Sequence, residues 1–207
     1  MERGEYEKSA DTRERILDVA EELFAKQGVE ATTVRQITTA AGVRTASVNY
    51  YFDTKSDLAV SVVARRFDVL EQERAASLSA ALEEAGSVRS IVEAFVEPAA
   101  RLTRTGGAGW QHYNRIVATL ALREEWPGHA YARAFDRQAQ AFIDALVQTT
   151  GADPERAVVA FRLMLSTVLV AFVRTQRFKR NRGALRAEEP ALAIDFMTAG
   201  VEAVLNR

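Results

Sequence analysis

The stretch AAGVRTASVNYYF, residues 40–52, constrains the fold of this chain more than any other part of the sequence. A single glycine, Gly42, separates two short apolar patterns that repeat at helical spacing. Two short helices joined by a tight, glycine-containing turn form a helix-turn-helix motif. Glycine suits such a turn because a left-handed backbone carries little steric penalty without a Cβ atom. The pattern predicts a small core between the two helices, formed by Ile37, Ala41, Val43 and Val48.

Most of the remaining sequence also has helical periodicity, which predicts an all-α fold. A first helix is expected to begin at Asp11 or Thr12 and to end at Gly28. Thr33 and Thr54 each precede a capping-box pattern, so a helix should begin after each of them. The second helix of the motif is expected over residues 45–51.

Beyond residue 86 the sequence predicts a second set of helices, separated by glycine- and proline-containing breaks. Apolar residues recur at helical spacing between these breaks. The expected order is a helix from Ser87, a flexible connection at 105–109, a helix over 110–125, a turn at 126–128, a helix containing Tyr131 to Leu146, a break at 150–154, a helix over 155–177, a polar loop at 179–190 and a final helix over 191–205.

This order predicts two domains. Residues 1–58 are expected to form a three-helix domain with the helix-turn-helix motif, joined to the start of a linking helix over 54–84. Residues 59–207 are expected to form a C-terminal helical bundle.

Composition excludes several classes of protein. The chain contains no cysteine, so disulfide frameworks and thiolate zinc sites are ruled out. The charged start MERGEYEK does not resemble a signal peptide, which makes the cytoplasm the expected location. The apolar run 157–173 is shorter than the ~20 residues of a membrane-spanning helix and contains Arg162, so no membrane partner is expected.

The second short helix of the motif carries residue types that read base edges in a DNA major groove. Arginine pairs with guanine, asparagine pairs with adenine, and the methyl groups of alanine or threonine contact thymine. Helical spacing is expected to turn outward Arg44, Thr45, Ala46, Ser47, Asn49 and Tyr50.

The neighbouring residues favour contacts with phosphates. Tyr50 and Tyr51 cannot both face the core, so their hydroxyls are available as donors, whereas Phe52 should close the small domain. Thr33 and Lys55 stand at helix N-termini, where free amides favour an anion. Taken singly, each could equally be a cap or a solvated surface residue, but the whole set predicts binding to double-stranded DNA.

Residues 11–58 resemble the DNA-binding domain of the TetR family of bacterial transcriptional regulators. The similar segments are ILDVAEELFAKQGVEATTVRQI, AAGVRTASVNYYF and TKSDL. Asn49 stands where the family commonly has tyrosine, and Thr38 stands where alanine is usual. We expect Asn49 to alter which base is read, and Thr38 to change the angle between two helices slightly.

The resemblance also implies roles for individual residues. The positions that reach bases in the family correspond to Arg35, Arg44, Thr45, Ala46 and Asn49. The positions that contact the DNA backbone correspond to Thr33, Ser47, Tyr50, Tyr51 and Lys55.

The resemblance further implies that the C-terminal helices bind a small molecule and build a homodimer. The run 157–173 supports a dimer independently, because a helix that is apolar nearly all round needs more cover than a small bundle provides. Pairing with a second copy across a two-fold axis would supply that cover. A monomer whose last two helices complete its own core is the alternative.

The expected ligand pocket has one polar residue, Asn114, among apolar residues on the same helical face. Two further residues flank Pro98, where a helix kink would leave room, and two others would close the far wall. A faint similarity to family members that respond to fatty acids or related compounds indicates a hydrophobic ligand. The predicted lining is Phe95, Leu102, Trp110, Tyr113, Asn114, Val117, Leu120, Phe142 and Leu146, although such aromatic stripes also form ordinary cores.

The leading interpretation is a repressor that a small ligand releases from a palindromic DNA operator. A helical carrier or sequestering protein is the alternative, supported by the net charge of −3 over residues 1–60, where eleven Asp/Glu oppose eight Lys/Arg. Within residues 31–55, however, the balance is +2, because Asp53 is the only acidic residue there. The sequence has no nucleophile–base pair or phosphate loop, and His112 and His129 lack acidic partners at metal-ligand spacing, so no enzyme activity, cofactor or metal is expected.

Overall fold

A computed structural model of the 207-residue chain describes residues 3–84, 86–120, 129–171 and 190–206. Every regular element in these ranges is an α-helix, which confirms the predicted all-α fold. None of the described helices is both long enough and apolar enough to cross a membrane. The helices are α1 (Arg3–Gln27), α2 (Val34–Ala41), α3 (Thr45–Tyr51), α4 (Lys55–Glu83), α5 (Val88–Thr105), α6 (Ala108–Leu120), α7 (His129–Thr150), α8 (Pro154–Ala171) and α9 (Pro190–Leu205).

Helices α2 and α3 form the predicted helix-turn-helix. Gly42 ends α2 with φ 63° and ψ 36°, which is the left-handed conformation expected of it. Ile37, Ala41 and Val48 are buried between the helices, and Val43 packs against them. The turn and the small core therefore follow the sequence pattern.

The N-terminal core holds the helix-turn-helix against two longer helices. It contains the buried residues of α1, α2 and α3, together with those of α4 from Leu58 to Leu70 and of α6 from Trp110 to Leu120. Phe67 of α4 is fully buried in this core. Since α6 belongs to the C-terminal part of the chain, this core continues past residue 58.

The C-terminal core lies among α5, α7, α8 and α9. Phe95, Phe142 and Phe161 meet at its centre, with ring centroids 5.0 Å apart for the first two and 5.3 Å apart for Phe95 and Phe161. Leu78, near the end of α4, is buried in the same core. Helix α4 therefore has residues in both cores.

Two predicted helix starts are wrong. Helix α1 begins at Arg3, so Asp11 lies inside it and does not cap it. Residues 3–10 contain no proline and only one glycine, so nothing breaks the helix before Asp11. Helix α6 begins at Ala108 and not at Trp110, and only Gly106 and Gly107 separate it from α5.

Several other predictions lie wholly or partly outside the described residues. They are the end of the 110–125 helix, the turn at 126–128, the end of the 155–177 helix and nearly all of the polar loop at 179–190.

Helix α8 is only half covered in the isolated chain. Ala157, Phe161 and Met164 are buried in the C-terminal core. Leu163 and Val170, on the other side of the helix, are each 56% exposed. The apolar pattern of this stretch thus covers a buried face and an exposed one.

We expect Gly42→Ala to lower the free energy of unfolding by roughly 1 kcal/mol, because the left-handed backbone disfavours a Cβ atom. No atom lies within 4 Å of the Cβ position at Gly42, so backbone strain is the only penalty expected. Gly42→Asn is the control, since asparagine tolerates this conformation, and it should lose less stability. Urea unfolding monitored by circular dichroism measures both; equal losses would contradict the explanation.

Candidate nucleic-acid interface

Local hydrogen bonds fix the start of α2. The Thr33 hydroxyl accepts a hydrogen bond from the backbone amide of Gln36 at 3.2 Å. The backbone amide of Thr33 donates in turn to the side-chain oxygen of Gln36 at 2.8 Å. The Gln27 side chain, at the end of α1, donates to the hydroxyl of buried Thr32 at 3.1 Å. The capping box therefore forms as predicted, and α1 holds the loop that precedes α2.

The predicted DNA-reading side chains lie together on the solvent side of α3. The opposite side holds buried Val48, and Phe52 is buried directly after the helix. Ser47 is partly exposed, while the exposed members of the set are Arg44, Thr45, Ala46, Asn49 and Tyr50. Arg35 is also exposed, on α2.

The three consecutive aromatic residues differ in burial, as their positions at the end of α3 predict. Tyr50 is 79% exposed, Tyr51 is partly buried, and Phe52 is only 4% exposed. The rings of Tyr50 and Tyr51 meet edge to face with centroids 5.0 Å apart. The guanidinium of Arg13 on α1 lies 5.6 Å from the centroid of the Phe52 ring. Phe52 thus closes the small domain, and the tyrosines stay at its surface.

Lys55 has a structural role that the sequence did not reveal. Its ammonium donates to the carbonyl oxygens of Glu30 and Thr32 at 3.1 and 3.2 Å. These bonds tie the start of α4 to the loop before α2. An ammonium has three N–H donors, so a phosphate contact through the third would extend this arrangement.

A cluster of ion pairs joins α1 to α4. The Glu21 side chain is 4% exposed, and its carboxylate accepts from Arg65 at 2.6 Å and from Arg66 at 2.9 and 2.8 Å. Arg65 also pairs with Asp18 at 2.8 Å and with Glu14 at 3.3 Å. Burial lowers the pKa of Arg65, but hydrogen bonds and charge interactions with Glu21 and Asp18 outweigh that effect and raise it above its ordinary value.

Helix α6 packs directly on this cluster. The Arg66 guanidinium lies 5.6 Å from the centroid of the Trp110 ring. A Cβ atom at Gly109 would lie 1.8 Å from Arg66 Nη2, so the approach depends on glycine. Arg115 donates to the Ala25 carbonyl of α1 at 3.2 Å. The sequence reading missed this cluster, because its partners are more than forty residues apart.

The predicted ligand-lining residues do not come together in one place. Phe95, Phe142 and Leu146 lie in the C-terminal core. Asn114 is partly buried, and its amide donates to the Thr103 hydroxyl at 2.7 Å. The remaining members lie in the N-terminal core: Leu102, Trp110, Tyr113, Val117 and Leu120.

No group of three potential metal-ligating side chains occurs within the described ranges. His112 Nδ1 lies 3.7 Å from the Glu21 carboxylate, beside the ion-pair cluster.

Two family models match this chain. One, described as "Bacterial regulatory proteins, tetR family", covers residues 16–62. The other, described as "Tetracyclin repressor-like, C-terminal domain", covers residues 93–200, more than half of the 207-residue chain. The chain belongs to the TetR family. The homologues of this TetR-family protein are transcriptional regulators and not enzymes.

Curated relatives match this TetR-family protein over part of their length. The regulator AcrR of Shigella flexneri is 43% identical over 58 residues, which cover 28% of this chain and 27% of AcrR. The repressor KstR2 of Rhodococcus jostii is 31% identical over 85 residues, covering 41% of this chain and 42% of KstR2. The chain therefore matches less than half the length of either relative.

Solved structures match nearly the whole chain in fold. SmeT, the repressor of a Stenotrophomonas maltophilia multidrug efflux pump, is 21% identical with a TM-score of 0.62, and the match covers 90% of this chain and 88% of SmeT. Mycobacterium smegmatis AmtR is 23% identical with a TM-score of 0.61, covering 91% and 85%. At this level of identity the likeness establishes the fold.

We expect Glu21→Gln to lower the free energy of unfolding by roughly 2–3 kcal/mol, because it leaves two arginines without their buried counter-charge. Solvent screens part of this loss, because the Arg65 and Arg66 side chains are 22% and 23% exposed. Glu22→Gln is the matched control, since Glu22 is exposed. Urea unfolding compares the two, and equal stabilities would show that the cluster does not hold α1 on α4.

Proposed function

We propose that this TetR-family regulator is a cytoplasmic repressor, which binds a palindromic operator as a homodimer and leaves it when a small hydrophobic ligand binds. The observation that carries the proposal is the exposed polar face of α3, held rigidly by Val48 and Phe52 on its buried side. Residues 1–58 would read DNA, and residues 59–207 would bind the ligand and form the dimer.

The proposed DNA contacts divide by chemistry. Base edges would be read by the side chains whose donors, acceptors and methyl groups match the major groove: Arg35, Arg44, Thr45, Ala46 and Asn49. Phosphates would be held by Ser47, Tyr50, Tyr51 and Lys55 and by the start of α2. Because the Thr33 hydroxyl already bonds within the capping box, the phosphate at α2 would be bound by the backbone amides of its first turn.

The exposed apolar face of α8 and α9 supports the homodimer. Phe196 is 69% exposed, Leu192 is 61% exposed and Leu163 is 56% exposed. A shallow groove between the two helices is lined mainly by apolar residues, including Met164 and Met197. Apolar patches of this kind mark interaction sites, and a second copy would cover the same face symmetrically.

The cluster around Glu21 supports a route from the ligand to DNA. Helix α6 contacts both partners of the α1–α4 junction, through Trp110 on Arg66 and through Arg115 on the Ala25 carbonyl. A ligand that shifts α6 or α4 would thus change how α1 carries the helix-turn-helix. The change in operator affinity is limited by the difference in ligand affinity between the two shapes.

A helical carrier without operator binding is the second candidate. The observation that favours it is the acidic balance of residues 1–60, which net −3. A carrier would keep ligand binding and have no preferred duplex.

We expect Arg44→Ala to lower operator affinity by about tenfold or more, because it removes a base contact. Arg89→Ala is the matched control, since it removes the same charge from an exposed position on α5. Duplexes selected from a random pool supply the operator, and fluorescence anisotropy measures affinity. If no duplex is selected at low salt without effector, the protein is not an operator-binding repressor.

We expect Phe196→Arg to convert the dimer to a monomer, because it places a charge in the proposed interface. Val69→Arg is the control, since Val69 is 43% exposed on α4, away from this face. Sedimentation velocity measures the mass of each variant. A dimer that survives Phe196→Arg at micromolar concentration would place the interface elsewhere.

A further inference from the structure

Arg13 of α1 reaches from the core side of its own helix to the end of α3. Ile16 and Leu17, three and four residues later, are fully buried, so Arg13 lies on the face of α1 that packs into the N-terminal core. Its guanidinium lies over the Phe52 ring, 5.6 Å from the centroid. Because Phe52 directly follows α3, this contact places a cation at the C-terminal end of the helix proposed to read DNA.

The Phe52 ring is one of three neighbouring rings. Its centroid lies 6.3 Å from the centroid of the Tyr51 ring, which in turn lies 5.0 Å from that of Tyr50. Tyr50 is exposed and Tyr51 is partly buried. The Arg13 guanidinium is thus connected through one ring to the tyrosines that are proposed to hold phosphates.

The Arg13 guanidinium keeps donors for a further partner. Its side chain is 43% exposed, and among the described residues its one hydrogen bond runs from Nη1 to Glu14 Oε1 at 3.0 Å. A guanidinium has five N–H donors. The Glu14 carboxylate is shared, because its other oxygen accepts from Arg65 at 3.3 Å. An ion pair between side chains this exposed contributes little to stability, so it would not keep a phosphate from Arg13.

We propose that Arg13 binds a phosphate of the DNA backbone beside the C-terminal end of α3. Stacking on an aromatic ring restrains a guanidinium, and its planar donors match the oxygens of a phosphate. The inference rests on the proposed operator binding and adds a contact from α1, outside the predicted set of DNA-binding residues. Because a phosphate has no base identity, Arg13 would add affinity without changing which sequence is preferred.

The same contact would make operator binding sensitive to the position of α1. Glu14, next to Arg13, and Glu21, further along the helix, both pair with Arg65 of α4. A shift of α4 against α1 would therefore move the Arg13 guanidinium relative to the DNA backbone. The ion pairs that hold α1 on α4 and the proposed phosphate contact thus lie on one helix.

The test uses the full-length protein, the duplex selected from a random pool and an unrelated duplex of equal length. Fluorescence anisotropy measures affinity between about 50 and 200 mM potassium chloride. Arg13→Met removes the charge but keeps an apolar side chain for the Phe52 ring, whereas Arg13→Lys keeps the charge. Arg15→Met is the matched control, because Arg15 is exposed roughly 200° around the same helix. Urea unfolding checks each variant, and Arg13→Gln replaces Arg13→Met if that variant does not fold.

We expect Arg13→Met to weaken binding to both duplexes by a similar factor, about tenfold at the lower salt concentration. We also expect it to reduce the slope of log affinity against log salt by roughly one for each half-site. Arg15→Met and Arg13→Lys should leave that slope nearly unchanged.

Two results would overturn the inference. Equal slopes for Arg13→Met and Arg15→Met would show that Arg13 contacts no phosphate. A loss of affinity at an unchanged slope would assign Arg13 to the support of Phe52 alone. If the wild type binds the selected duplex in either case, the proposed repressor still stands, whereas a wild type that binds neither duplex removes the repressor together with this contact.

Discussion

The structure depends on the burial of one long helix in two hydrophobic cores. Helix α4 packs Leu58 and Phe67 into the N-terminal core and Leu78 into the C-terminal core. Its 29 residues span roughly 43 Å at 1.5 Å per residue. Because both cores contain residues of this helix, a displacement of α4 changes the packing of both.

The ion pairs around Glu21 fix the position of α1 along α4. Apolar contacts alone would allow α1 to slide along α4. Such a shift would separate the buried Glu21 carboxylate from Arg65 and Arg66. Gly109 admits α6 to the same cluster. The helix-turn-helix is therefore carried by a junction of three helices, and two of them belong mainly to the C-terminal part of the chain.

The predictions that succeeded rest on short-range interactions. Thr33 and Thr54 cap their helices through residues three positions away, and Gly42 turns the chain through its own backbone. The start of α1 was misplaced because Asp11 and Glu14 have capping spacing, yet nothing before them ends the helix. The expected ligand lining was split between two cores because helical spacing shows which residues share a face, but not which face meets which.

The sequence by itself determined that this chain is helical, that a helix-turn-helix lies near its start, and that α3, with Arg44 just before it, presents arginine, asparagine and tyrosine to solvent. These features follow from periodicity, capping and backbone strain, which act over a few residues. Only the tertiary structure decided that Lys55 ties down the loop before α2, that Glu21 meets two arginines, and that Arg13 lies over Phe52. The physical reason is that partners distant in sequence are selected by the packing of whole helices, and a single sequence contains no local signal of that packing.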